Sequence, residues 1–330
     1  MKNPGKLRKR RVFGGEEAVI GGYEQSRVAV LPVPYEATTT YGKGTRNGPE
    51  AILRASENME LYDEEIGAEI FKIGIHTLPP LSFKSKDLLP GAIKHGGRVG
   101  REGCKSAFEL IEDRVRSLLN DGKFPAILGG EHSITPSVVS AFMSGLKHCD
   151  LTVVQLDAHA DLRDSYLGSK FNHACAMARV TEMCHAVQIG IRSMSFEESQ
   201  KIKISSRRAE SKNPFMYQTE PGRNWIVFAS DMQDEGWIDK ILPKIYGKVY
   251  LTIDLDYFDP SIMPSVGTPE PGGGHWHHTL EFLKKLSKKT HIVGLDVVEL
   301  CPQRGNPASD FLAARLISKV LGYIFHRDLR

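Results

Sequence analysis

An apolar run from Leu151 to Leu156 leads straight into D-A-H-A-D, which sets Asp157, His159 and Asp161 at alternate positions. Side chains at i, i+2 and i+4 share one side of an extended chain. If the strand continues past Leu156, two carboxylates and an imidazole point to one place. Three such groups at the end of an apolar strand are costly to bury unless a cation sits among them. A divalent metal is the simplest such cation, and other parts of the chain would have to complete its ligand set.

Composition sets the frame for that search. The chain has 330 residues, 41% hydrophobic and 25% charged, with a formal net charge of +3. That describes a globular protein with length for a large core. The charge is too small to argue for nucleic acid. Cys104, Cys149, Cys175, Cys184 and Cys301 are scattered, odd in number and free of C-x-x-C spacing. They read as free thiols of a reducing compartment. No apolar run approaches the roughly 18 residues of a membrane span. The basic start, with six Lys and Arg between Met1 and Arg11, lacks the apolar stretch of a secretory signal. These features point to the cytoplasm. Residues 1–26 read as a basic tail and lead-in, with nucleic-acid binding through the tail as an alternative; 27–330 read as one catalytic domain.

Strands and helices then alternate. Strands are expected at Arg27–Val33, Ile70–Ile75, Phe124–Leu128, Leu151–Leu156, Ala186–Ile191, Trp225–Ala229, Gly247–Leu255 and His291–Val297. A helix opens at Gly48-Pro49-Glu50, where Pro and an acid suit a first turn, and runs to about Asn58. Apolar residues three and four apart predict a helix over Gly103–Asn120. Another opens near Ser133 or Thr135, one follows His173 to about Thr181, one spans Thr279–Ser287, and Asp310–Phe325 closes the chain. Leu78–Arg98 reads as an irregular connection. Residues 203–224, polar and basic with two prolines, read as a structureless surface insertion. The alternation predicts a mostly parallel α/β sheet with helices on both faces, and a polar site outside the carboxyl ends of its strands.

Four predicted strand ends carry chemistry. G-G-E-H-S supplies His132; D-A-H-A-D supplies Asp157, His159 and Asp161; D-L-D supplies Asp254 and Asp256; and the last strand supplies Glu299. Each piece alone has an ordinary structural explanation, as a loop histidine, a helix cap or an ion pair. Together, on one edge of one parallel sheet, they form a set. Two imidazoles and four aspartates exceed what one zinc ion takes. They suit two ions sharing bridging carboxylates, manganese before zinc, with nickel or iron open. Two such ions can acidify a water held between them.

These motifs resemble the ureohydrolases, the arginase–agmatinase family, and its agmatinase branch in particular. The resemblance rests on G-G-E-H-S at Gly129–Ser133, D-A-H-A-D at Asp157–Asp161, T-I-D-L-D-Y-F-D-P at Thr252–Pro260, G-T-P-E-P-G-G at Gly267–Gly273 and G-L-D-V-V-E-L at Gly294–Leu300. It implies a three-layer α/β/α sandwich with an eight-stranded parallel sheet, two Mn2+ per chain, and a homo-trimer or homo-hexamer. It implies His132, Asp157, Asp161 and Asp254 around one ion and Asp157, His159, Asp254 and Asp256 around the other. Asp161 and His173 become proton carriers, and Glu299 the anchor of a substrate guanidinium. The implied reaction is attack of a metal-bridging hydroxide on the guanidinium carbon, giving urea and a primary amine.

The stretch after D-A-H-A-D, L-R-D-S-Y-L-G-S-K-F-N-H, lacks the pattern with which arginases hold the amino-acid end of arginine. Agmatine, yielding putrescine in polyamine metabolism, is therefore the default. N1-aminopropylagmatine is a close variant. Guanidinobutyrate would need a cation near the pocket, from Arg163 or Arg304. A catalytically silent family member serving as a scaffold is the contrasting class. No membrane partner is expected.

Overall fold

The structure is a computed structural model that describes residues 11–83, 106–144, 150–202, 216–218 and 224–329. In chain order the elements are β1 (Val28–Val33), α1 (Gly48–Ser56), β2 (Tyr62–Asp63), β3 (Ala68–Glu69), β4 (Ile75–Thr77), α2 (Ala107–Asn120), β5 (Phe124–Gly129), α3 (Thr135–Met143), β6 (Leu151–Leu156) and α4 (Ala176–Met183). There follow β7 (His185–Ile191), α5 (Phe196–Lys201), β8 (Met216–Gln218), β9 (Asn224–Phe228), α6 (Trp237–Ile241), β10 (Lys248–Asp254), α7 (Trp276–Lys289), β11 (His291–Val298) and α8 (Ala308–Phe325).

The main sheet runs β4-β1-β5-β11-β10-β6-β7-β9-β8. The first eight of these strands pair in parallel, and β8 joins β9 antiparallel at one edge. Strands β1, β5, β6 and β7 are buried along their whole length. They are covered on both faces, which is why they read as unbroken apolar runs. Alternation along β6 sends Val154 and Leu156 into one core and Leu151 and Val153 into the other. Helices α1, α7 and α8 pack together over the first core; α2, α3 and α4 form the layer over the second.

Local signals explain most element boundaries. Pro49 and Glu50 occupy the first turn of α1. Helix α2 starts at a capping box, in which the Ser106 side chain accepts the Glu109 N–H and Glu109 returns to the Ser106 backbone. Its buried Ala107, Ile111, Val115 and Leu118 mark one face. Helix α7 begins three residues before the expected Thr279, because Trp276, His277 and His278 form a largely solvent-facing first turn that carries no burial periodicity.

Two expectations need correction. Ile70–Ile75 is not one strand: Ile70–Ile73 form a 3-10 turn, with Ile70 and Ile73 buried three apart, and Gly74 at φ 80° breaks it before β4. Residues 203–224 are not wholly structureless, since β8 lies among them; their remainder before Asn224 falls outside the described residues. Within the lead-in, Phe13 and Ala18 are buried, and the Phe13 N–H donates to Thr77 Oγ1 at 2.9 Å. The predicted basic tail, apart from Arg11, lies outside the described residues, as does most of Leu78–Arg98 beyond Phe83. Among the described residues, no helix is long and apolar enough to cross a membrane. Cys175, Cys184 and Cys301 are free thiols; Cys104 and Cys149 lie outside the described residues.

Candidate metal centre

Strands β5, β11, β10 and β6, which lead into the four chemical motifs, are consecutive neighbours in the sheet. Their carboxyl ends therefore open on one spot. D-A-H-A-D does not continue β6 as a flat strand: it ends at Leu156, and Asp161 takes φ 51°. The three side chains consequently serve two places instead of the single one expected from strand alternation. His132 Nδ1 lies 3.0 Å from Asp157 Oδ2, 3.2 Å from Asp161 Oδ2 and 3.4 Å from Asp254 Oδ2. His159 Nδ1 lies 2.9 Å from Asp256 Oδ2 and 3.7 Å from Asp157 Oδ1. Two groups with metal-ligand geometry result, His132–Asp157–Asp254 and Asp157–His159–Asp256, with Asp157 common to both.

Asp157, Asp254 and Asp256 are all buried. Burial first, then the charges of Asp256 and Asp161, push Asp157 up to about 7. Burial, Asp256 and Asp157 hold Asp254 well above the carboxylate range. Burial lowers His132, but Asp157, Asp161 and Asp254 overcome it and raise the imidazole well above its usual value. His159 is driven up to about 11 by Asp256 and Asp157 against the opposing effect of burial. Burial works against ionisation of Asp256, yet its pairing with His159 brings it to about 2. Carboxylates resisting ionisation beside imidazoles resisting deprotonation are what a site short of positive charge produces.

The hydrogen bonds around the cluster test whether a cation fits. Thr252 Oγ1 donates to Asp296 Oδ1 at 2.5 Å, so at 2.9 Å it accepts from His132 Nε2. His132 Nδ1 is thereby aimed at the carboxylates, and this buried atom makes no hydrogen bond of good geometry. A buried imidazole nitrogen among three carboxylate oxygens is a donor set that suits a cation. Asp296 is fixed in turn by Tyr250 (2.7 Å) and Thr135 (2.9 Å). Gln155 Nε2 holds Asp157 Oδ2 at 2.6 Å and is itself bonded by Gln188, which Asn224 Nδ2 braces at 2.5 Å. The Ala158 N–H holds Asp256 Oδ1 at 3.0 Å, and the Asp256 N–H holds Asp254 Oδ1 at 2.9 Å.

His132, His159, Asp161, Asp254, Asp256, His173 and Glu299 all line one cavity of about 230 Å³, while Asp157 is fully buried and does not line it. Glu299, at φ 65°, accepts the His132 backbone N–H on Oε1 at 2.7 Å. Burial, then the Glu131 carboxylate, hold Glu299 well above the usual range. Arg163 also reaches the cavity, but it sits 4.8 Å over the Tyr166 ring with Nε 3.7 Å from Glu198. Arg304 is exposed and does not line it.

Several residues that shape the site were not singled out from sequence. Glu36 and Glu131 are buried acids that rivet the 37–44 loop over the cavity: Glu36 takes the Gly44 N–H at 2.6 Å, and Glu131 the Thr38 N–H at 2.6 Å. Arg192 donates to the carbonyls of Asp256 (2.7 Å), Glu270 (2.8 Å) and Pro271 (3.1 Å), tying the two loops on the β10 side together. The signal for Gln155, Gln188, Thr252 and Asp296 was available: each is a polar residue inside an otherwise apolar strand, and buried polar groups need partners.

Residues 26–322 match the model of the arginase family. The chain belongs to the arginase family. This arginase-family chain is 40% identical over 312 residues to an N(1)-aminopropylagmatine ureohydrolase of Synechocystis sp., covering 93% of this chain and 92% of that protein. It is 33% identical to an agmatinase of Pyrococcus horikoshii, covering 89% and 90%. Its fold superposes on the crystal structure of agmatine ureohydrolase of Thermoplasma volcanium with a TM-score of 0.76 at 28% identity, covering 98% of both chains. The arginase-family fold is thus the α/β architecture described above, and the chain is a hydrolase of the ureohydrolase type, in a family built on a binuclear metal centre.

Proposed function

We propose that this chain hydrolyses a linear guanidino amine, agmatine first, to urea and a primary amine, putrescine. The observation that carries the reading is the convergence of two imidazoles and four aspartates around the floor of a cavity that also presents Glu299. In this reading His132, Asp157, Asp161 and Asp254 would hold one divalent cation. Asp157, His159, Asp254 and Asp256 would hold a second, both manganese. Bound there, the cations supply Lewis acidity and a water acid enough to act as a nucleophile near neutral pH.

The protein's own groups account for the remaining steps. A guanidinium is a planar fork of N–H donors, and a carboxylate is its natural acceptor. Glu299, with one oxygen fixed by the His132 amide, offers the other to the substrate and orients its central carbon over the cluster. Asp161 passes a proton to the departing amine, which leaves poorly without one. His173 exchanges protons between the cavity and solvent.

Substrate charge supports an amine tail. A substrate carboxylate would need a free cation in the cavity, and Arg163 is already engaged by Glu198 and Tyr166. This argues against arginine and guanidinobutyrate. N1-aminopropylagmatine is the second reading, favoured because the Synechocystis relative carries that name. The working unit in this proposal is residues 27–330 as a single catalytic domain, in a cytoplasmic homo-trimer or homo-hexamer.

The test is urea release by manganese-loaded protein from agmatine, N1-aminopropylagmatine, arginine and guanidinobutyrate. Turnover of one or both amine-tailed compounds, with little from the two carboxylates, is expected. No urea from any of them would favour a catalytically silent scaffold.

A further inference from the structure

We propose that Glu131 and Thr38 act as a positioning relay that holds His173 in the tautomer protonated on Nδ1. This leaves Nε2 as the nitrogen that takes up and releases protons in the cavity. The proposal rests on the reading of His173 as a proton carrier.

Glu131 precedes His132 of the candidate cluster, yet its carboxylate bonds the 37–39 segment and Ser133. It is fully buried. Oε2 accepts the backbone N–H groups of Ala37 at 2.7 Å, Thr38 at 2.6 Å and Thr39 at 3.3 Å. Oε1 accepts the hydroxyls of Thr38 and Ser133, both at 2.6 Å. Five donors hold this one carboxylate; four come from the 37–39 segment and fix Thr38, and the fifth, from Ser133, fixes the carboxylate from the other side.

Donor counting does the rest. A threonine hydroxyl has one proton and two lone pairs. The Thr38 proton is committed to Glu131. Its oxygen then has only lone pairs to offer, and two groups of His173 approach it: the backbone N at 3.1 Å and the ring Nδ1 at 3.1 Å. The amide brings its own hydrogen. The ring nitrogen must bring one too, because a lone pair facing a lone pair at that distance would be repulsive. Nδ1 is therefore the protonated nitrogen, and the partner on one ring nitrogen decides the state of the other. The Tyr166 ring stands perpendicular to the imidazole, with centroids 6.2 Å apart. In a cycle, Nε2 accepts a proton to give the imidazolium and returns it, while Nδ1 keeps its proton throughout.

Thr38 is the residue to change, since it does not line the cavity and substitution of Glu131 would release three backbone amides beside His132. Metal-free protein labelled with 15N-histidine reports the tautomer directly, with His173→Asn assigning the signal. The wild-type protein is expected to show His173 protonated on Nδ1, and Thr38→Val to shift it toward Nε2–H. In manganese-loaded protein, Thr38→Val is expected to lower kcat by about 10- to 100-fold with little change in KM, and Thr38→Ser to restore both tautomer and rate. Wild-type His173 protonated on Nε2, or loss of kcat in Thr38→Val with no change in tautomer, would overturn the proposal. A His173→Asn enzyme at full kcat would instead remove the proton-carrier reading underneath it, leaving the tautomer assignment standing.

Discussion

At the scale of single residues, Glu299 shows how one side chain serves two ends. Its Oε1 is occupied by the His132 amide at 2.7 Å, and its residue adopts φ 65°, a region that non-glycine residues rarely enter. The strain aims the carboxylate into the cavity beside the cluster. Glutamine keeps the shape and can still accept the amide hydrogen, but it lacks the charge that pairs with a guanidinium. Glu299→Gln is therefore expected to keep its metal complement and to lose about 100-fold or more in kcat/KM, measured by urea release beside metal analysis. Wild-type turnover in that variant would remove the anchor role. The candidate ligands were legible in the sequence because each follows an apolar strand. Thr252, Asp296 and Gln155 stood out only as polar residues within apolar strands; what they do appears once neighbouring strands put them in register, Thr252 beside Asp296 on one side and Gln155 on the other.

At the scale of elements, the turn after β5 decides whether His132 arrives at all. The sequence suggests that Gly129-Gly130 gives a sharp turn. The structure gives a different reason for Gly130. Its φ is not positive; instead a Cβ there would lie 1.9 Å from the Tyr35 carbonyl oxygen. The Gly130 N–H bonds Val33 O at 2.9 Å and its carbonyl accepts the Glu299 N–H at 2.8 Å, so this backbone links the ends of β1 and β11. Gly130→Ala must push two backbones apart and is expected to cost about 3 kcal/mol in chemical unfolding and to reduce activity. A variant as stable and active as the parent would show that the approach is not needed. Short elements were the least legible. Helix α5 carries the Ser195-x-x-Glu198 capping box, a signal present in the sequence, but six residues are too few to show periodicity. Strands β2 and β3 have two residues each and are defined only by pairing with one another.

At the scale of the whole molecule, the β2–β3 hairpin ties together the helices on its side of the sheet. Lys319 of α8, buried, reaches Asp63 Oδ1 at 2.9 Å and Glu65 Oε2 at 3.1 Å. The Tyr323 hydroxyl donates to Glu65 Oε2 at 2.6 Å, and Lys284 Nζ of α7 donates to Glu65 Oε1 at 2.8 Å. Burial alone would raise the Glu65 pKa, but Lys284, Tyr323 and Lys319 together lower it from 4.5 to about 2. A depressed carboxyl pKa stabilises the fold above the unfolded value and loses that contribution as pH falls through the folded one. The Glu65 contribution is thus complete above 4.5 and declines toward about 2. Glu65 is partly exposed, so solvent screens the effect and its size is modest. Thermal unfolding across that window is expected to fall less steeply with acid for Glu65→Gln than for the parent; equal slopes would contradict the assignment.

The sheet order matters at this scale too. The alternation of strands and helices implied a parallel sheet, but only the structure shows that β5, β11, β10 and β6 are neighbours, and that adjacency turns four separate motifs into one site. The most direct measurement of that claim is metal content after equilibration with manganese, made on the parent and on Asp157→Asn. Asp157 is common to both ligand groups, so the account predicts two ions per parent chain and one or none in the variant, with folded far-UV dichroism retained. Two ions retained by Asp157→Asn, or fewer than two held by the parent, would contradict it.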